Sequence, residues 1–173
     1  MIIYPSWIFK EDSQFFGGFV TMIKILFICH GNICRSPMAE FILKDMVRKR
    51  GIADRFRIDS CATSREEIGN NIYPPARRKL QAEGIRFENR RARQLTKEDY
   101  ADYDYLICMD RYNINNILRI IGKDPHRKIH MLLDFAGKER DITDPWYSDN
   151  FDAAFDDIEE GCKGLLEQLG IDD

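Results

Sequence analysis

Apolar residues recur along this chain in two rhythms. Nearly unbroken apolar runs at Lys24–Cys29 (KILFIC), Asp104–Met109 (DYLICM) and Lys128–Leu133, and an alternating run at Phe56–Ser60, predict four strands. Between them, apolar positions repeat at intervals of three and four. Pro37–Arg50 places Met38, Phe41, Ile42, Met46 and Val47 on one face, with Glu40, Lys44, Asp45 and Arg48 off it, and Gly51 supplies the stop. Pro74 and Pro75 stand where prolines open a helix, and Thr96 caps a short helix through Tyr100. Arg111–Ile121 and Phe151–Leu169 complete the set, the last with Phe155, Ile158, Cys162, Leu165 and Leu166 in its stripe. Strands that are apolar on both faces belong to parallel sheets, and strand–helix alternation without a repeat or linker predicts one α/β domain. Its architecture is a single doubly wound, four-stranded parallel sheet with helices on both faces.

The segment before Met22 breaks this rhythm. Its apolar pieces are interrupted by Pro5, Lys10, Glu11 and Asp12, which suits neither a signal peptide nor a membrane span. Two readings of residues 1–21 stand: translation naturally begins at Met22, or the segment is an extension whose Trp7, Phe9, Phe15 and Phe16 pack on the domain or on a partner chain. The domain proper is expected over residues 22–173.

Composition narrows the class. With 173 residues, 44% hydrophobic and 32% charged, and a net charge of −3, the chain can fill one core and carries no global basic field for nucleic acid or a membrane surface. Its five cysteines, Cys29, Cys34, Cys61, Cys108 and Cys162, are scattered and odd in number, which fits a reducing cytoplasm. There is no CxxC pair, and His30, His126 and His130 do not join cysteines at zinc spacing. No metal or other cofactor is expected.

Candidate chemistry concentrates in ILFICHGNICRSPMAE, Ile25 to Glu40. A buried strand ends at Cys29, small and turn-forming residues follow, and Arg35, Ser36 and Pro37 open a helix. Such a strand–loop–helix gathers backbone N–H groups at the positive end of a helix and attracts an anion. In an open parallel sheet the carboxyl end of the first strand is also a favoured ligand position. The C-x5-R spacing alone arises readily by chance; its position between strand and helix gives it weight. A cysteine held there is expected as a thiolate, and Arg35 offers a planar fork for two phosphate oxygens. Together they suit in-line attack on a phosphate ester, with the equatorial oxygens held by backbone N–H groups. A leaving group also needs a proton. Asp144, in DITDPWYSDN, is the candidate acid, although Asp-Pro is by itself an ordinary turn opening.

These residues resemble the low-molecular-weight protein tyrosine phosphatase family. The likeness covers roughly Met22 to Leu169 and rests on FICHGNICRSPMAE, IDS at Ile58–Ser60, ARQLT at Ala92–Thr96, MD at Met109–Asp110 and DPWY at Asp144–Tyr147. It implies a flavodoxin-like fold and a metal-independent phosphotyrosine hydrolase with a phosphocysteine intermediate. Cys29 would be the nucleophile, Arg35 the phosphate clamp and Asp144 the general acid. Substrate contact falls to His30, Gly31, Asn32, Ile33, Cys34, Ser36, Trp146 and Tyr147, and Asn32, Ser36 and Ser60 would support the loop. Ile33, Trp146 and Tyr147 would wall a deep pocket for an aryl ring; core packing is the plainer reading of the two aromatics. Ile33 argues for phosphotyrosine over phosphoarginine, for which relatives carry threonine there. The likeness also suggests a reversible Cys29–Cys34 disulfide, against the alternative that Cys34 merely packs. The remaining cysteines read as packing residues. The implied partner is a phosphotyrosine-containing protein, a tyrosine kinase or its target, met by a monomer or weak dimer.

Two departures stand out. Arg90 occupies the place of a histidine that usually joins the loop's hydrogen-bond shell, and Glu66 replaces an aromatic residue at the substrate mouth. The basic run Arg86–Arg93, flanked by Glu83, Glu88, Glu98 and Asp99, reads as a solvated or substrate-facing loop rather than a nucleic-acid patch. Tyr100, Tyr103 and Tyr105 read as structural. The competing functions are arsenate reduction on the same fold, which in its thioredoxin-coupled form needs two closely spaced downstream cysteines, phosphoarginine hydrolysis, and noncatalytic phosphopeptide binding.

Overall fold

The computed structural model describes residues 21–171. The proposed extension and its aromatics therefore lie outside the described residues, apart from Thr21. Four parallel strands form one sheet in the order β2-β1-β3-β4: β1 (Ile23–Cys29), β2 (Phe56–Ala62), β3 (Tyr105–Cys108) and β4 (Ile129–Met131). Six helices connect or follow them: α1 (Arg35–Lys49), α2 (Pro74–Ala82), α3 (Lys97–Asp102), α4 (Arg111–Ile121), α5 (Pro145–Ser148) and α6 (Phe151–Gln168). None of the described helices is long and apolar enough to cross a membrane.

The central strand shows how the sequence makes two cores. Side chains alternate across a sheet. Ile25, Phe27 and Cys29 join the cluster built from α1, α2 and α6, whereas Leu26 and Ile28 join Ile117 of α4 and Tyr103 on the opposite face. Ile25, Leu26, Phe27 and Ile28 are all fully buried, as the unbroken apolar run requires. The doubly wound architecture is thus as expected.

Element ends differ in informative ways. The expected strand Lys128–Leu133 pairs only over Ile129–Met131; Leu132–Ala136 then tightens into a 3-10 turn. The apolar pattern is still satisfied, because Leu132 and Leu133 are buried. Their conformation follows from close packing by α6: a Cβ added at Gly164 would fall 2.3 Å from the Phe135 carbonyl oxygen, and one at Gly161 2.5 Å from the Leu132 side chain. Near α3 the expected cap is a full capping box between Thr96 and Asp99. Tyr103 is buried, donates to Asp59 Oδ2 at 2.7 Å and lies beneath the Arg57 guanidinium, in keeping with a structural role.

Candidate active site

The chain leaves β1 for β2 on one side and later returns to β3 on the other, so the carboxyl ends of β1 and β3 flank a topological switch point. The loop from Cys29 to Arg35 lies there. Its carbonyls are committed to their surroundings: Cys29 O accepts from Thr63 N at 2.9 Å, His30 O from Ser64 N at 3.0 Å, and Ile33 O from Tyr73 N at 2.9 Å. Asn32 O accepts from Arg90 Nη1 at 2.9 Å. The loop therefore presents few carbonyl lone pairs to an anion at its centre. The first turn of α1 adds to this, holding no acidic residue and no side-chain cap.

Cys29 is nearly buried, and its sulfur accepts from Asn32 N at 3.2 Å and lies 3.0 Å from Ser36 Oγ. The Ser36 hydroxyl already accepts from Asn32 Nδ2 at 2.8 Å, so its one proton is shared between the sulfur at 3.0 Å and the more distant Cys61 O at 3.4 Å. Asn32 Nδ2 also donates to Ser60 Oγ at 2.9 Å, and Ser60 passes its own proton to Glu40 Oε2. Asn32 sits at φ 59°, a left-handed conformation to which asparagine is better suited than most residues.

Arg35 is 2% exposed and its fork is divided. Nη1 donates to Asp110 Oδ2 at 2.7 Å and to Ile142 O at 2.9 Å, while Nη2 donates to Asp144 Oδ2 at 2.8 Å. Burial works against the charged guanidinium, but Cys29, Asp144 and Asp110 outweigh it and raise its pKa. Asp144 is also the N-cap of α5: its other oxygen accepts from Trp146 N at 3.1 Å. The Asp-Pro turn is thus the start of a short helix that fixes the carboxylate and swings two aromatic rings to the cleft's edge.

That cleft is lined by Cys29, His30, Gly31, Ile33, Cys34 and Arg35 of the loop, and by Glu66, Glu67, Asp144, Trp146 and Tyr147. Every residue expected to touch substrate lines it except Asn32 and Ser36, which lie fully buried behind the loop, as does Ser60. Trp146 and Tyr147 are 51% and 85% exposed, so core packing does not account for them. Tyr73 braces the former, with ring centroids 4.9 Å apart. Glu66 stands at the mouth as expected, with Oε2 3.0 Å from His30 Nε2. Cys34 is buried, and burial together with the nearby Cys29 pushes its thiol pKa far up. Cys61, Cys108 and Cys162 are fully buried packing residues.

A model of the low molecular weight phosphotyrosine protein phosphatase family matches residues 24–173. The chain belongs to that family. Low molecular weight protein-tyrosine-phosphatase YfkJ of Bacillus subtilis is 38% identical over 150 residues, covering 86% of this chain and 96% of the relative. The mouse low molecular weight phosphotyrosine protein phosphatase is 38% identical over 149 residues, covering 83% and 94%. Among solved structures, that of YfkJ superposes with a TM-score of 0.83 at 38% identity, covering 87% of this chain and 96% of that one. A Drosophila arginine phosphatase reaches 0.77 at 31% identity, covering 87% and 100%.

Two features of this family member were not assigned roles from sequence, and a third was read only in part. Asp110 accepts from Arg35 and Glu40 from Ser60, and in the Arg86–Arg93 run Arg86 and Arg91 are exposed, as a solvated loop requires, whereas Arg90 and Arg93 are partly buried and turn inward. Arg90 reaches the Cys29 loop, Arg93 forms a two-point pair with Asp99, and Arg91 Nη1 donates to Gly69 O at 2.7 Å. Interleaving with Ala92, which is buried, was the available signal: an apolar residue amid three arginines marks a segment with one face turned inward.

Proposed function

We propose that this chain hydrolyses phosphotyrosine in proteins, and aryl phosphate monoesters generally, by a metal-independent two-step reaction. In the first step the Cys29 sulfur attacks phosphorus in line while Arg35 and the loop N–H groups bind the equatorial oxygens. The P–O(aryl) bond breaks, and the Asp144 carboxylic acid gives its proton to the departing phenolate oxygen. In the second, the Asp144 carboxylate takes a proton from water, the resulting nucleophile attacks the phosphocysteine, and the S–P bond breaks to release phosphate and regenerate the thiolate. Asn32, Ser36 and Ser60 keep the loop in shape, and His30, Gly31 and Cys34 line the phosphate's approach. One observation carries this reading: a single Arg35 side chain beside the Cys29 loop hydrogen-bonds Asp144, 109 positions away in sequence. Arrival of a phosphate dianion gives Arg35 Nη2 a competing acceptor and frees Asp144 for the leaving oxygen.

Selection for an aryl group rests on depth. Ile33, which is buried, and the exposed Trp146 and Tyr147 line the same cleft as Cys29 and would flank a ring whose phosphate reaches the sulfur. The proposed setting is cytoplasmic, with a tyrosine kinase or its target as substrate and a monomer or weak dimer as the working state. Cys34 is proposed as a redox partner. Peroxide would oxidise the Cys29 thiolate to a sulfenic acid, and the Cys34 thiol would displace hydroxide from it, giving a disulfide and water.

The test is turnover of an aryl phosphate with a metal chelator present. Wild type should hydrolyse it and Cys29→Ser should not; normal turnover by Cys29→Ser would end the mechanism. Phosphoarginine hydrolysis in place of aryl phosphate hydrolysis would identify the alternative ester. Arsenate reduction with thioredoxin and no esterase activity would identify the redox enzyme.

A further inference from the structure

Arg90 is the one arginine of the 86–93 run whose side chain reaches the Cys29 loop, and its contacts are unusually concentrated. Nη1 donates to Asn32 O at 2.9 Å, and Nη2 donates to Asn32 Oδ1. A rigid guanidinium fork therefore grips the backbone oxygen and the side-chain oxygen of the same residue. Nη2 also reaches Ser60 O at 3.4 Å, and Nε lies 3.7 Å from Glu40 Oε2. The side chain is only 14% exposed, and Glu40 is the facing countercharge.

The gripped residue has no freedom left. Asn32 Nδ2 donates to Ser36 Oγ at 2.8 Å and Ser60 Oγ at 2.9 Å, and its Oδ1 accepts from Arg90 and from Arg93 N at 3.3 Å. Both amide protons and both oxygen lone pairs are used. The same residue holds a left-handed φ of 59° and donates its N–H to Cys29 Sγ at 3.2 Å. Holding both of its oxygens at once fixes the Asn32–Ile33 peptide plane and the side chain together, and so the Cα from which the N–H is aimed at the sulfur. One oxygen held alone would fix only one of these two groups.

We propose that Arg90 is a positioning residue that acts on the Cys29 nucleophile through Asn32, by chelating both of its oxygens. A monodentate or uncharged donor cannot replace it. Burying a guanidinium in this place is tolerable only with a paired carboxylate, which assigns Glu40 the task of balancing it. The inference rests on the phosphatase reading only for its kinetic readout.

The experiment is a double-mutant cycle on Arg90 and Asn32, read as kcat and KM for an aryl phosphate and as the rate of Cys29 carboxymethylation by iodoacetate at fixed pH. Activity is referred to the fraction of chains that finally carboxymethylate, so loss of folded protein does not register. Arg90→Gln should lower kcat by roughly 10- to 100-fold, the scale of a slightly displaced reacting group, with KM changed less than about threefold. Arg90→Lys keeps the charge beside Glu40 but not the fork, and should lie within about threefold of Arg90→Gln. In an Asn32→Ala background either change should cost less than about twofold more. Unchanged kcat in the single variants, full recovery with lysine, or equal losses with and without Asn32 would each overturn the proposal. If Arg90→Gln does not fold, Arg90→Lys completes the cycle. Should wild type fail to hydrolyse the aryl phosphate, the function falls separately, and the same cycle is read on carboxymethylation: non-additive rates keep the positioning role, additive rates reject it.

Discussion

The floor and the rim of the cleft are built on opposite principles. On the floor, Asn32 and Ser36 are fully buried, Arg35 and Cys29 nearly so, and each polar group is held by at least one named partner. At the rim, Trp146 and Tyr147 project into solvent and the Glu66 side chain makes an exposed contact with His30. Buried polar networks fix one geometry because an unpaired member is costly, whereas exposed contacts are weak and screened. The floor can therefore hold reacting atoms to a small tolerance, and the rim can change without disturbing them. Substitutions in the two regions should differ in kind: kcat for the floor and KM or peptide preference for the rim.

Asp144 tests the contrast most severely because it belongs to both regions, capping the rim helix α5 while bonding Arg35. Asp144→Ala removes the proposed acid and should lower kcat by roughly 10²- to 10⁴-fold for phenyl phosphate. The loss should shrink for aryl phosphates whose leaving group needs no proton, such as a nitrophenyl ester. An equal loss for both esters would reassign Asp144 to positioning Arg35. Ser36→Ala comes next. It deletes the hydroxyl 3.0 Å from Cys29 Sγ, and loss of a hydrogen bond to the proposed nucleophile should lower kcat roughly 10- to 100-fold. A change confined to KM would place Ser36 with the rim in behaviour and break the division.

How well each region could be read from sequence follows from the same division. Cys29–Ser36 is contiguous, so the loop that borders the cleft was visible in one stretch, and the place of Asp144 beside it through the DPWY context. Asp110 was not, because it approaches Arg35 only once β3 is known to lie beside β1. Glu40 reads as one more polar residue on α1 until Ser60 and Arg90 fold against it. The departure at Arg90 was legible, but not its consequence, since charge flanking suggested solvent where the chain turns inward. Likewise the apolar residues of the fourth strand were correctly placed in the core. Their 3-10 conformation depends on the close approach of α6 through Gly161 and Gly164, a contact no local pattern records.

Trp146→Ala should separate the regions from the other side. Tyr73 holds the indole against the cleft wall, and removing one aromatic contact should raise KM for an aryl phosphate by roughly tenfold, with kcat changed less than about twofold. An aliphatic phosphate ester, which has no ring to flank, should show no such rise. A kcat loss as large as that of Ser36→Ala would mean that the rim shapes the floor after all.

Glu66 should give the smallest effect and the most specific one. With Glu67 and Asp144 it makes the mouth of the cleft acidic, and its side chain is 71% exposed. Such a charge acts over a short distance in high dielectric and is screened by salt. Wild type should therefore prefer a phosphotyrosyl peptide with lysines beside the tyrosine to one with glutamates there, read as the ratio of kcat/KM values. Glu66→Gln should reduce that ratio by roughly two- to fivefold at low ionic strength. In 1 M salt, where the screening length falls to about 3 Å, the two enzymes should show the same ratio. A small aryl phosphate, lacking flanking residues, separates this effect from any change at the floor. If its kcat falls with Glu66→Gln, the His30–Glu66 pair is bracing the loop, and the boundary between the two regions lies one residue higher than drawn here.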